Sequence, residues 1–119
     1  MFAKITYHKD AVSYVEAEGK LDIYNAPDYL EQVKESLKRM YARELILDFS
    51  KISYVASIGL RVILELYNIM QNRKGVLKLK NVNNEILHAF KITGFDKFLI
   101  IENGSDAGEN SNDAEQTDV

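Results

Sequence analysis

The chain has no cysteine, no tryptophan, one proline and two histidines, and these absences remove several classes of function together. Without cysteine there is no disulfide framework, no thiol nucleophile and no thiolate metal site; the composition suits a reducing compartment, so the cytoplasm is the expected location. Nowhere do ~18 apolar residues run together, the length a membrane-spanning helix needs. The first residues, Met-Phe-Ala-Lys-Ile-Thr-Tyr-His, show no basic segment followed by an apolar stretch. Neither membrane insertion nor export is therefore expected. A glycine-rich phosphate loop, a dinucleotide fingerprint and a Gly-x-Ser-x-Gly nucleophile turn are all missing. His8 and His88 have no second ligand type beside them, so no metal site and no cofactor are expected. Asp48 follows an apolar stretch, as the acceptor of a phosphorelay receiver would, but the acidic pair such receivers need is absent. The expectation is a protein that is not an enzyme.

Charge is uneven. Asp106, Glu109, Asp113, Glu115 and Asp118 stand between Asn103 and Val119 without a single Lys or Arg. These acids account for more than the whole formal net charge of −3, so the preceding residues carry only a slight positive surplus. That surplus is too small for a phosphate-backbone interface, and nucleic acid is not expected as a partner. Residues 103–119 have almost nothing large to bury and are expected to form an acidic, disordered tail. With 119 residues and 46% hydrophobic content, residues 1–102 suffice for one domain around one core.

Hydrophobic periodicity orders that domain. Ala3, Ile5 and Tyr7 alternate with Lys4, Thr6 and His8, as a half-buried strand does. Lys9-Asp10 turns the chain into a second alternating segment, Ala11 to Glu18, ended by Gly19. The two predict an N-terminal antiparallel hairpin. Ala26, Tyr29, Leu30, Val33, Leu37 and Met40 recur at helical spacing, with Pro27 in the first turn and Asn25 placed to cap it. Leu45-Ile46-Leu47 reads as an interior strand covered on both faces, which implies helices above and below it. Leu60, Ile63, Leu64, Tyr67 and Met70 form a second helical stripe, widened by Val62, Leu66 and Ile69, that starts at Ser57 and is closed by Gly75. Val76 to Lys80 is a strand, Asn83 to Lys91 a third helix ended by Gly94, and Phe98 to Ile101 a last strand. The order ββαβαβαβ predicts an α/β domain with about three helices and a mixed, mostly parallel sheet.

The segment Leu47-Asp48-Phe49-Ser50-Lys51-Ile52-Ser53-Tyr54-Val55-Ala56-Ser57-Ile58-Gly59-Leu60 runs from an interior strand through a polar turn into a helix. It resembles the signature of the STAS family, in which an Asp-aromatic-Ser segment is followed by a hydrophobic pair and Asp/Ser-Ser-x-Gly-Leu. Gly19-Lys20-Leu21-Asp22-Ile23-Tyr24-Asn25-Ala26 and Thr93-Gly94-Phe95-Asp96-Lys97-Phe98 resemble two further family segments, in the right order across the folded part. The resemblance is to the anti-sigma factor antagonist type. It implies a bacterial transcription regulator that works by partner switching. The unphosphorylated form would bind an anti-sigma factor that is also a serine kinase and so release the sigma factor. Phosphorylation at Ser57 would end binding, and a serine phosphatase would reset the switch. Asp22, Asn25, Ala56, Ile58, Gly59 and Arg61 would then form the partner surface. A rival is a STAS scaffold subunit of a sensory or lipid-transport assembly that uses the same surface unmodified.

Each site residue also has a plainer role open to it. Ser57 could be only a helix cap, although free backbone N–H groups and the positive end of the helix dipole suit a phosphate there. Asp22 could simply accept backbone N–H groups in its turn. Ser50 and Ser53 are expected in the turn before the helix, bonded to nearby backbone. Ala56 stands where many family members with a switch serine carry Asp, and Ile58 replaces a common Ser or Ala.

Overall fold

The computed structural model describes residues 2–9, 11–39 and 41–103, the first stretch by its backbone alone. Met40, Asp10 and nearly all of the expected tail lie outside the described residues, as do the expected side-chain faces of residues 2–8. Elements follow the order β1 (Phe2–Lys9), β2 (Val12–Leu21), α1 (Ala26–Arg39), β3 (Glu44–Val55), α2 (Ser57–Asn72), β4 (Val76–Lys80), α3 (Asn84–Thr93) and β5 (Ile100–Glu102), with a 3-10 turn at Phe95–Lys97. The strands lie in the sequence order β1-β2-β3-β4-β5. β2 to β5 are all parallel, and β1 pairs antiparallel with the outer edge of β2.

Register explains which side of the sheet holds the core. Val15, Leu47 and Leu79 stand side by side on neighbouring strands, as do Ser13, Leu45 and Leu77. The apolar members of these rows join one cluster with Tyr29 and Val33 of α1, Ile63 and Leu66 of α2, and Ile86 and Phe90 of α3. The opposite rows are Tyr14, Ile46 and Lys78, then Glu16, Asp48 and Lys80. Ile46 is buried but lies outside the helical core cluster. The expectation of a strand sheathed by helices on both faces is therefore corrected. Polar and long-stemmed side chains flank Ile46, and Lys78 is fixed there by Glu44 at 3.0 Å and Glu102 at 3.6 Å.

Several boundaries also differ. β2 does not end at Gly19 but continues to Leu21, with Gly19 at φ 109°, a conformation open to glycine. β3 runs on through Val55, so Ser50 and Ser53 belong to a strand rather than a turn. It carries one more residue than β2 between Asp48 and Lys51, and again between Ile52 and Tyr54. These irregularities give its second half an inward residue at every third position: Phe49, Ile52 and Val55. Phe98 and Leu99 precede β5 instead of opening it, and Phe98 packs on Tyr67 with ring centroids 4.8 Å apart.

Helix ends follow local chemistry. Asn83 caps α3 by accepting the Ile86 amide at 2.9 Å, and Gly94 closes it in the left-handed region at φ 83°. After α2 it is Lys74, at φ 58°, that takes the left-handed position. Gly75 follows because a Cβ there would lie 2.7 Å from the Arg43 carbonyl oxygen.

Candidate functional site

The parallel pairing of β2 and β3 brings their C-terminal ends together at Leu21 and Val55. The next residue, Ala56, donates its amide to the Leu21 carbonyl at 3.0 Å. The loop Asp22–Asn25 and the start of α2 consequently leave the sheet at the same place. This brings the neighbourhoods of Asp22, Asn25, Ala56, Ser57, Ile58 and Gly59 to one end of the molecule.

Ala56 occupies the N-cap of α2 with extended backbone, and no side chain caps the helix. Ser57 is its first helical residue and is exposed. The plain capping role weighed for Ser57 is thereby removed, since a cap residue stands one position earlier. The first turn contains no acidic residue, so the positive end of the helix dipole meets no carboxylate of its own turn. A phosphate at the Ser57 hydroxyl would add charge of the favourable sign there.

Gly59 is buried and faces inward. A Cβ on it would lie 2.6 Å from the Leu21 carbonyl oxygen and 2.9 Å from Val55 Cγ1. Its small size lets α2 sit on the sheet end, so it shapes the surface from beneath. Ile58 and Arg61 line a shallow groove of about 300 Å³ between α1 and α2, with Pro27, Leu30, Val62 and Glu65. Arg61 is exposed, and Glu65 meets Lys34 across the groove at 3.4 Å.

The loop is tightly bonded. Asp22 Oδ1 accepts the amides of Tyr24 and Asn25 at 3.0 and 3.1 Å, the turn-holding role open to a loop aspartate. The Asn25 carbonyl accepts the Tyr29 amide, as an N-cap residue's does, while its side-chain nitrogen reaches back to the Lys20 carbonyl at 2.9 Å. Ile23 and Tyr24 between them are exposed, as is Tyr54 on the neighbouring strand end. Sequence reasoning passed over all three. The available signal for the loop pair was their failure to fit either the strand alternation before them or the helical stripe after them.

Asp48, set aside in the sequence for want of an acidic pair, forms a separate cluster whose partners the sequence did not show. It is 8% exposed and accepts from Tyr14 Oη at 2.8 Å, the Ser50 amide at 2.9 Å and Asn81 Nδ2 at 3.2 Å. Burial pushes its pKa up, but the hydrogen bonds from Ser50, Tyr14 and Asn81 outweigh it and hold the carboxyl below its ordinary value. Burial first, and Asp48 second, raise the pKa of the fully buried Tyr29. Asp48 oxygens so engaged serve the sheet. His88 is exposed on α3. Among the described residues no group of three or more His, Cys, Asp or Glu side chains could hold a metal ion, and no helix is long and apolar enough to cross a membrane.

Residues 3–108 match the family model of the STAS domain. The chain belongs to the STAS family. Its kinship is with the anti-sigma factor antagonist type: it is 31% identical to the anti-sigma-B factor antagonist of Listeria monocytogenes over 88 residues, which is 71% of this chain and 74% of that protein. The crystal structure of an anti-sigma factor antagonist from Mycobacterium paratuberculosis superimposes with a TM-score of 0.74 at 20% identity, covering 87% of this STAS domain's chain and 88% of the other. The Bacillus cell fate determinant SpoIIAA in its phosphorylated form gives 0.68 at 13% identity, covering 87% and 92%. These two likenesses are of fold.

Proposed function

We propose that this STAS domain is a cytoplasmic switch ligand of an anti-sigma factor that is also a serine kinase. Unphosphorylated, it binds that kinase and releases the sigma factor. The kinase transfers phosphate from its own ATP to Ser57, affinity falls, and a serine phosphatase restores the hydroxyl. The chain is ligand and substrate in this cycle, needs no cofactor of its own, and touches neither nucleic acid nor membrane. The acidic residues that follow Asn103 contribute nothing to the contact.

The observation that carries this reading is the setting of Ser57: an exposed hydroxyl on the first residue of α2, next to an N-cap that has no side-chain bond. The family relationship supports it. So does the convergence of Asp22, Asn25, Ala56, Ile58 and Arg61 on that end of the fold, with Gly59 beneath. A phosphoserine carries about −1.5 to −2 charges. Desolvating it at an interface costs about 2–4 kcal/mol, or on the order of thirty- to a thousandfold in affinity.

One observation favours the rival, an unmodified STAS scaffold of a sensory or lipid-transport assembly. Ala56 places a methyl group where many switch members carry a carboxylate able to orient the hydroxyl. Incubation with the chain's own anti-sigma factor kinase and ATP separates the two. The switch acquires one phosphate at Ser57; the scaffold acquires none.

A further inference from the structure

The loop Asp22–Asn25 holds two large apolar side chains out in water: Ile23 is 67% and Tyr24 86% exposed. The loop backbone is not free to fold them away. Asp22 Oδ1 takes the amides of Tyr24 and Asn25, the Asp22 carbonyl takes those of Asn25 at 3.1 Å and Ala26 at 2.8 Å, and Asn25 Nδ2 is tied to Lys20. Each of these bonds fixes a dihedral that would otherwise have to be ordered on association, so the pair is presented with part of its binding entropy already lost. Aromatic anchors of this kind dominate interfaces when an apolar pocket receives them. The loop springs from Leu21, whose carbonyl holds Ala56. On its other side the chain continues into Pro27 and Leu30, which share a groove with Ile58 and Val62.

We infer that Ile23 and Tyr24 anchor this STAS domain in an apolar pocket of the anti-sigma factor kinase, and that Asp22 is a positioning residue acting through the loop backbone, not a charge paired with the partner. The inference rests on the function proposed above and names the contact that function uses. Asparagine keeps the side-chain oxygen that accepts both amides and removes the charge. Aspartate-to-asparagine exchange therefore separates positioning from ion pairing.

The test measures binding of the full chain to the kinase that phosphorylates Ser57, at fixed salt. Tyr24→Ala is expected to weaken binding at least tenfold with an unchanged melting curve, because the ring packs on nothing that holds the fold. Asp22→Ala is expected to weaken it to a similar degree and Asp22→Asn by less than threefold. Without any partner, the Tyr24 and Asn25 amides should exchange hydrogen at least tenfold faster in Asp22→Ala, but not in Asp22→Asn. Wild-type affinity in Tyr24→Ala overturns the anchor, and equal losses in Asp22→Asn and Asp22→Ala overturn positioning. A wild-type dimer that Tyr24→Ala converts to monomer in sedimentation makes the occupant a second copy and also overturns it. Ser57→Asp runs alongside: if it weakens binding while Tyr24→Ala does not, the anchor fails and the switch stands. If Tyr24→Ala weakens binding while Ser57→Asp does not, the anchor stands and the switch fails.

Discussion

The Leu21 carbonyl oxygen accepts the Ala56 amide at 3.0 Å and lies 2.6 Å from the point a Cβ on Gly59 would occupy. The end of β2 and the start of α2 thus meet backbone against backbone, with room for a hydrogen atom but not for a methyl group. Leu21 is also the last residue before the Asp22 loop. A single carbonyl sets the spacing between that loop and Ser57.

Gly59→Ala is accordingly expected to destabilise, although alanine is the better helix former. Backbone and Val55 must shift to admit the methyl group, a cost of about 1–3 kcal/mol, which lowers the melting temperature by on the order of 10 °C. At Gly94, where a Cβ meets nothing within 4 Å and only the backbone at φ 83° is strained, alanine should cost about 1–2 kcal/mol. Thermal melts of both variants check the ranking. A Gly59→Ala protein as stable as the wild type would contradict the close approach.

Ser57→Ala is expected to change stability by less than about 0.5 kcal/mol, as for an exposed residue without a structural bond. Asn83→Ala, which removes the side-chain oxygen that accepts the Ile86 amide at the start of α3, should cost about 1 kcal/mol. Denaturant titration of the pair reads the difference. A cap-sized loss at Ser57 would show that its hydroxyl holds α2 after all.

Much of this was legible in the residues. The stripe of α1 marks its buried face directly and Gly94 ends α3 by the chemistry its type suggests, whereas the buried face of α2 runs through Val62, Ile63, Leu66 and Met70 and leaves Leu64 exposed. What was not legible has specific causes. Phe49, Ile52 and Val55 recur every third residue, a period that imitates a turn leading into a helix, because two irregularities against β2 rotate the strand. Ile46 continues an apolar run and so reads as covered by helices, yet its cover comes from neighbours on other strands that only register reveals. Ser57 as the first polar residue of the helix reads as a cap; only the backbone angles place the cap at Ala56. At the site, Asp22 and Ser57 were visible through family segments, whereas Ile23 and Tyr24 needed the exposure that three dimensions supply.

Asp48 makes the acid limb of stability predictable. Its carboxyl is held below the ordinary value of 3.8 in the fold, so the unfolded chain binds the proton more readily. The stabilisation it gives is complete above the ordinary carboxylate range and is lost as pH falls through and below about 4. The melting temperatures of the wild type and Asp48→Asn should therefore differ most above the ordinary carboxylate range and converge as pH falls below it. Curves that stay parallel across that range would contradict the assignment of the charge to the Tyr14, Ser50 and Asn81 bonds.

The central claim, that Ser57 is the switch, is tested most directly by one titration. The affinity of the anti-sigma factor kinase is measured for the full chain before and after stoichiometric phosphorylation, with the modified residue mapped by mass spectrometry and Ser57→Ala carried as the unmodifiable control. The account predicts phosphate on Ser57 alone, none on Ser57→Ala, and an affinity lowered on the order of thirty- to a thousandfold by the phosphate. Phosphate on Ser57→Ala at the wild-type level, or an affinity that phosphorylation at Ser57 leaves unchanged, would contradict it.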